Sequence, residues 1–188
     1  GGFHGLPLGI DLPNPSDGSE FGYVRIADDD GLEPQRFTIE AWIHPLGPGA
    51  GSEPVIIAKP MENVAGNYIF SWMIMWRPGQ ERIWGWVTNT LGTNNGGAYI
   101  LGADAVPLDA SSHVAMTFDG TYLRLFINGV QDAASPAETG FGVVDYGDQD
   151  VLIGAGNFAN GFVRRFDGII DEVRIWDHAR DEATIAGH

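Results

Sequence analysis

Apolar and polar residues alternate with a period of two along many short stretches of this chain, and turn residues end each stretch. The clearest is Phe37-Thr-Ile-Glu-Ala-Trp-Ile-His-Pro45, where Phe37, Ile39, Ala41 and Ile43 form a core face and Thr38, Glu40, Trp42 and His44 the other. This period over β-branched and aromatic residues predicts a strand. Shorter runs predict strands at 21–26, 55–58 and 151–154. Residues 113–118 and 121–128 form a meander around Asp119-Gly120 and Asn128-Gly129, which are strong hairpin signals.

Residues 67–76 and 82–88 predict an aromatic hairpin. If Arg77 pairs with Arg82, then Trp72, Ile74 and Trp76 share a face with Val87, Gly85 and Ile83. Ser71, Met73 and Met75 then share the other face with Thr88, Trp86 and Trp84, and a slip of one residue would exchange the two sets. The closing run is Phe166-Asp-Gly-Ile-Ile-Asp-Glu-Val-Arg-Ile-Trp176. Strict alternation places Ile170, Glu172, Arg174 and Trp176 on one side and Asp171, Val173 and Ile175 on the other, the core side. Gly168 allows a bulge or a close backbone approach just ahead of it. Segments 46–54, 89–97 and 131–149 read as loops, residues 3–10 hold a possible short strand, and only 181–186 has helix-like composition.

Ten to thirteen short strands without an internal repeat predict an all-β fold of two packed sheets. The length suits one domain over 1–188, with 1–14 as an N-terminal segment and 177–188 as a short polar tail. Ten Lys plus Arg against 25 Asp plus Glu give a formal charge of −15. That balance argues against nucleic acid and anionic membranes, which demand clustered cations. It leaves cation binding, high-salt surroundings and simple solubility open. No apolar run is long enough to span a bilayer. The absence of cysteine excludes a disulfide-stapled module and allows a secreted bacterial protein or a cytosolic one. The Gly1-Gly2 start, without a signal-peptide pattern, reads as a trimmed or excised segment.

Glycoside hydrolysis needs two carboxyl groups flanking the bond, and no strand supplies such a pair. Glu40 stands alone, Glu172 has Arg174 as an ion partner, and Asp28/Asp30 and Asp148/Asp150 lie in or beside loops. Scattered histidines and serines offer no other catalytic pattern. The six tryptophans point elsewhere, because Trp72, Trp76, Trp84 and Trp86 all fall in one hairpin. Sugars present weakly apolar C–H faces that stack on indole while their hydroxyls meet nearby polar groups. Both faces of this hairpin are apolar, so either a loop covers the outer one or it is a platform. Trp84 and Trp86 are the expected platform, with Thr88 and Asn89 as polar neighbours and the 89–97 loop as border. A second mixed set, Glu40, Trp42, His113, Arg174 and Trp176, reads as a structural Glu–Arg cluster or as part of a ligand groove. Asp171 is a turn-capping carboxylate or a metal ligand, and Asp148 with Asp150 offers a separate rim site.

Three segments taken together resemble a known family. They are Phe37 to Pro45, then Ser112-His-Val-Ala-Met-Thr-Phe-Asp-Gly120 with Leu123-Arg-Leu-Phe-Ile-Asn-Gly129, and Phe166 to Trp176. In this order they resemble laminin-G-like domains of the concanavalin A-like lectin/glucanase superfamily, from about residue 15 to 186. The His113-x-Ala-x-Thr-Phe segment also resembles the pentraxin signature, with Ala115 in place of that family's Cys and Ser112 in place of its usual Trp. The resemblance implies a two-sheet antiparallel jelly-roll β-sandwich with neighbouring termini. It implies binding of sugars, glycoproteins or calcium by modules of large secreted bacterial enzymes or adhesins. A structural calcium is implied at Asp171, with Asp17 of the Asp17-Gly18 loop as its partner. Glycosidases on this fold carry a Glu-x-Asp-x-x-Glu strand, which is absent here. The expected function is a non-catalytic extracellular or cell-surface module, one part of a larger multidomain protein, that binds carbohydrate or a glycoconjugate. The alternatives are an adhesion or structural module contacting protein or cell-surface material and, behind it, a glycoside hydrolase or polysaccharide lyase.

Overall fold

The computed structural model describes residues 10–12, 22–49, 53–61, 70–89, 97–137, 141–158 and 161–187. Their strands are β1 (Ile10–Leu12), β2 (Val24–Ile26), β3 (Phe37–Pro45), β4 (Val55–Pro60), β5 (Phe70–Arg77), β6 (Arg82–Thr88) and β7 (Gly97–Leu101). These are followed by β8 (Ser112–Phe118), β9 (Tyr122–Ile127), β10 (Val130–Pro136), β11 (Val151–Ile153), β12 (Gly156–Phe158), β13 (Gly161–Val163) and β14 (Gly168–Trp176). A single 3-10 turn (Asp30–Leu32) follows β2, and a short α-helix, α1 (Glu182–Ile185), comes last among the described residues. The first sheet has the order β1-β14-β3-β8-β9-β10 and the second β2-β11-β4-β5-β6-β7, with β12-β13 as a separate hairpin. All these pairings are antiparallel, and the two sheets form a jelly-roll sandwich. The expected turn around Asp17, most of the 3–10 stretch and most of the 89–97 loop lie outside the described residues.

The hairpin signals act as expected. Asn128 and Gly129 take φ of 51° and 82°, the left-handed pair that a type I′ turn requires between β9 and β10. At the β8–β9 turn, the Asp119 carboxylate accepts from the backbone N–H of Thr121 and Tyr122 at 2.8 and 2.7 Å and from Arg124 at 2.6 Å. The aromatic hairpin has the expected register, Arg77 opposite Arg82 and Trp72 opposite Val87. Its inward residues meet the first sheet through aromatic contacts: Phe37 lies 6.3 Å from Trp72 and 5.8 Å from Phe118, ring centre to ring centre. Trp76 is wholly buried, and its indole N–H donates to the Val106 carbonyl at 2.9 Å.

Strict alternation fails on β14. Asp171 pairs with Trp42 and Arg174 with Glu40, so three steps on β14 match two on β3. The extra residue is Glu172, in a left-handed conformation with φ of 48°. A bulge of this kind reverses the phase. Ile170 therefore faces the core together with Val173 and Ile175, and Asp171 moves to the outer face beside Trp42. Gly168 supplies the expected close approach, since a Cβ there would sit 2.3 Å from the His44 carbonyl oxygen. The stretch 131–149 is also not all loop, because β10 occupies its start as an edge strand with a register shift between Gln131 and Ala133.

Lys59 carries an ammonium into the interior. Its side chain is fully buried at the core-facing side of β4. Asp28 and Glu33 neutralise it, the latter at 3.4 Å, and the Gln149 carbonyl accepts from it at 2.8 Å. The loop after β2, strand β4 and the loop before β11 are thereby tied at one charge.

The Asp119 turn generates a pH-dependent expectation. Burial raises the pKa of this carboxyl, but the Arg124 guanidinium and the two backbone N–H groups outweigh it and hold the group below its ordinary value of 3.8. A carboxyl depressed in the folded state contributes stability above its unfolded pKa and loses it as pH falls through the folded one. Asp119→Asn is expected to lower the melting temperature at neutral pH and to flatten its further fall below about pH 4, as read by thermal melts across an acid series.

Candidate functional site

Strands β5 and β6 are apolar on both faces, and the second sheet has to place both sets. Trp72, Ile74, Trp76, Ile83 and Val87 point inward to the main core. On the outer face Val55, Ala58, Phe70, Met73 and Met75 make a second buried cluster, with Trp84 and Trp86 packed against it and themselves half-buried. Tyr99 sits opposite Trp86 on the edge strand β7 and is 63% exposed. Ring centres are 5.8 Å apart from Trp84 to Trp86 and 5.9 Å from Trp86 to Tyr99, with interplanar angles of 56° and 34°. The Arg77 guanidinium lies 4.3 Å over the Trp84 ring. Glu53 holds it with bonds of 2.6 and 3.1 Å and accepts from Arg164 at 2.8 Å. An oblique row results, from Arg77 on β5 through Trp84 and Trp86 on β6 to Tyr99 on β7.

The expected polar neighbours fall differently. Thr88 shares the outer face, but it is nearly buried and its hydroxyl accepts from the Trp86 indole N–H at 3.0 Å. It orients the ring. Asn89 is 2% exposed and bridges to Val144, and by alternation it falls on the inward side, away from the row. Tyr99 was not expected. The signal for it was the alternation of Tyr99 and Leu101 against Ala98 and Ile100, right after a Gly/Asn-rich loop.

The outer face of the first sheet carries the other mixed set, and there the charge is sealed. Glu40 is wholly buried. It accepts from the Trp176 indole N–H at 3.0 Å and, through both oxygens, from Arg180 at 2.8 Å. Arg174 stands at 3.6 Å and His113 at 3.8 Å. The tail after β14 is strapped down beside them. The Arg180 backbone N–H donates to the Thr38 hydroxyl at 2.8 Å, and that hydroxyl donates to the His178 carbonyl at 2.9 Å. Asp181 caps α1 by accepting from the Thr184 N–H at 2.8 Å. The helix sets Ile185 against Ala115 and Phe126, and Glu182 accepts from the Gln131 N–H on β10 at 3.0 Å. Of the two readings open for this set, the structural cluster is the one the geometry supports. Arg180 and Ile185 are the partners that the sequence reading missed.

Asp171 lies on this same outer face, where its Oδ1 accepts from the Glu172 N–H at 2.7 Å and so caps the bulge. Glu172 itself pairs with Arg174. Calcium takes about six to eight oxygen ligands. Among the described residues, no group of three or more His, Cys, Asp or Glu side chains could hold a metal ion, so these residues do not assemble that donor set around Asp171. Asp17 lies outside them. Asp148 and Asp150 do not form a joint site either: Asp150 pairs with Arg25 and accepts from the Asp28 N–H at 3.0 Å. The Arg25 bond, with that N–H, holds the Asp150 carboxyl below its ordinary range.

The family model for the concanavalin A-like lectin/glucanases superfamily, laminin-G type, matches residues 17–186. The chain belongs to that superfamily. No curated protein matches its sequence. Solved structures of the same fold include the Ruminococcus gnavus IT-sialidase CBM40 bound to α2,3-sialyllactose, at 16% identity and a TM-score of 0.70, covering 82% of this chain and 83% of that one. A candidate carbohydrate-binding protein from Bacteroides ovatus is 22% identical with a TM-score of 0.63, and the match covers 87% of this chain but 43% of that chain. A SAP-like pentraxin from Limulus polyphemus is 14% identical with a TM-score of 0.66, covering 94% and 78%. This laminin-G-type domain therefore shares its sandwich with all three.

Two outcomes follow from the outer face of the first sheet. Arg180→Ala leaves Glu40 without its closest cation in the interior, and breaking a buried pair this way costs about 3–5 kcal/mol, measurable by urea denaturation. Arg180→Lys should recover only part of that, because one ammonium cannot contact Glu40, donate to the Thr184 carbonyl at 3.0 Å and lie flat over the Trp176 ring, 4.6 Å from its centre, all at once. At Asp171, melting curves with and without EDTA separate two roles. Bulge capping makes Asp171→Ala costly by about 1 kcal/mol whether or not chelator is present, whereas a calcium ligand would show the loss only without it.

Proposed function

We propose that this domain is a non-catalytic module that binds carbohydrate on the outer face of its second sheet, at Tyr99 and Trp86 with Trp84 beside them. The observation that carries the proposal is the exposed Tyr99 ring next to a half-buried Trp86, both on an outward sheet face. Underneath lies the Phe70, Met73 and Met75 cluster, which keeps the two indoles in place. Such rings match the apolar C–H face of a sugar, and each stacked contact adds roughly 0.5–1.5 kcal/mol beyond the area it buries. Binding at one site is therefore weak, which suits a module carried by a larger multidomain protein at or outside the cell surface, where repeated sites add avidity. The solved carbohydrate-binding modules of the same fold support the class of ligand. The non-catalytic reading is supported by Glu40, whose carboxylate is wholly buried under Arg180 and so out of a substrate's reach. A structural calcium at Asp171 with Asp17 is an additional proposal, supported by the position of Asp171 where β1 runs beside β14 and not by an assembled donor set.

A glycan array tests the function. The wild-type domain is expected to bind a subset of glycans, and Trp86→Ala to lose that binding while keeping its β-rich circular dichroism. Since Trp86 also covers Met73, the variant should melt at a lower temperature, by an amount corresponding to about 1–3 kcal/mol. An array with no signal above background, together with capture of a protein ligand, would replace this reading by the adhesion module.

A further inference from the structure

Resting on the carbohydrate reading, we infer that the aromatic row takes a soluble glycan chain that turns as it crosses the sheet, and neither a crystalline polysaccharide surface nor a lone sugar. The inclination of the rings carries this. A flat crystal face touches only rings that share its plane. Here Trp84 and Trp86 are inclined by 56° and Trp86 and Tyr99 by 34°, so no one plane lies flat on all three. A chain whose successive sugars rotate about their linkages can meet each ring at its own angle. The spacing agrees, because 5.8 and 5.9 Å between ring centres are nearly equal steps, each comparable with one sugar ring in a chain. Adjacent sugars can then meet adjacent aromatic rings.

The two ends of the row differ. At Trp84 the Arg77 guanidinium occupies one ring face and Glu53 fixes it there, so that end is closed by a hydrogen-bonding pair suited to hydroxyls. At Tyr99 the row reaches β7, the last strand of its sheet, and the ring is 63% exposed. Tyr99 is therefore a length-dependent subsite. It contributes to ligands long enough to reach from Trp84 past Trp86, and little to shorter ones.

Affinity gels containing xylan, mixed-linkage β-glucan or galactomannan, pull-downs on microcrystalline cellulose and crystalline chitin, and calorimetry with mono- to hexasaccharides of the retarding polymer test the inference. At least one soluble polymer is expected to retard the domain, while both powders leave it in the supernatant. Affinity should rise from the monosaccharide to the trisaccharide and then level off. Tyr99→Ala, at an exposed position, should weaken trisaccharide binding by about 3- to 10-fold and leave the monosaccharide nearly unaffected. Retention on the powders without any soluble retardation overturns the inference, as does equal affinity for monosaccharide and hexasaccharide, or a Tyr99→Ala variant that binds the trisaccharide like wild type. In each of those cases binding of carbohydrate itself survives, and in the last the site proposed for it moves away from Tyr99. Retention by none of the probes removes that reading and the inference with it.

Discussion

A carboxylate taken wholly out of water must be answered by fixed cations and hydrogen-bond donors, and Glu40 meets that demand with the chain's own tail. Arg180, Trp176 and the Thr38 hydroxyl bring the segment after β14 across the first sheet as far as β10. The desolvated charge therefore decides which sheet faces outward chemically. With Glu40, Ala115 and Phe126 covered, the centre of the first sheet's outer face becomes part of the interior, while around it Tyr122 stays exposed and Arg174 partly so. The second sheet keeps an exposed aromatic ring on its outer face, Tyr99 beside Trp86, and the proposed recognition site lies there.

The fold was legible where periodicity and turn chemistry agree. Strands β3, β8 and β9 show it, with Asn128-Gly129 fixing one turn and Asp119-Gly120 another. The pairing of Arg77 with Arg82 sorted the aromatic hairpin into its two faces, and the surplus of bulk on one of them pointed to Trp84 and Trp86. Three things could not be read in this way. Glu172 takes a left-handed conformation that nothing in its residue type announces, so the phase change on β14 was hidden. β10 reads Val-Gln-Asp-Ala-Ala-Ser-Pro, with little β-branched character, and it holds its place as an edge strand through β9. Glu40 and Arg180 stand 140 positions apart, and only the folded topology brings them together.

The bulge at Glu172 links these two lessons. Without the extra residue, Ile170 would point outward and Asp171 would be driven into the core beside Ile43. With it, three aliphatic side chains of β14 reach the interior, and the carboxylate moves to the outer face. A single residue in an unusual conformation thus reconciles the closing strand's sequence with the demands of both faces.

Lys59 is the only lysine in the chain, and its ammonium lies in the interior between Asp28 and Glu33. Every cationic side chain at the surface is therefore a guanidinium. Amine-directed acylation, reductive methylation or glutaraldehyde cross-linking finds no side-chain target on the native domain. Acylation of Lys59 would thus serve as a reporter of opening at the rim where the loop after β2 meets β4, while arginine-selective dicarbonyl reagents would probe the surface, including the closed end of the aromatic row.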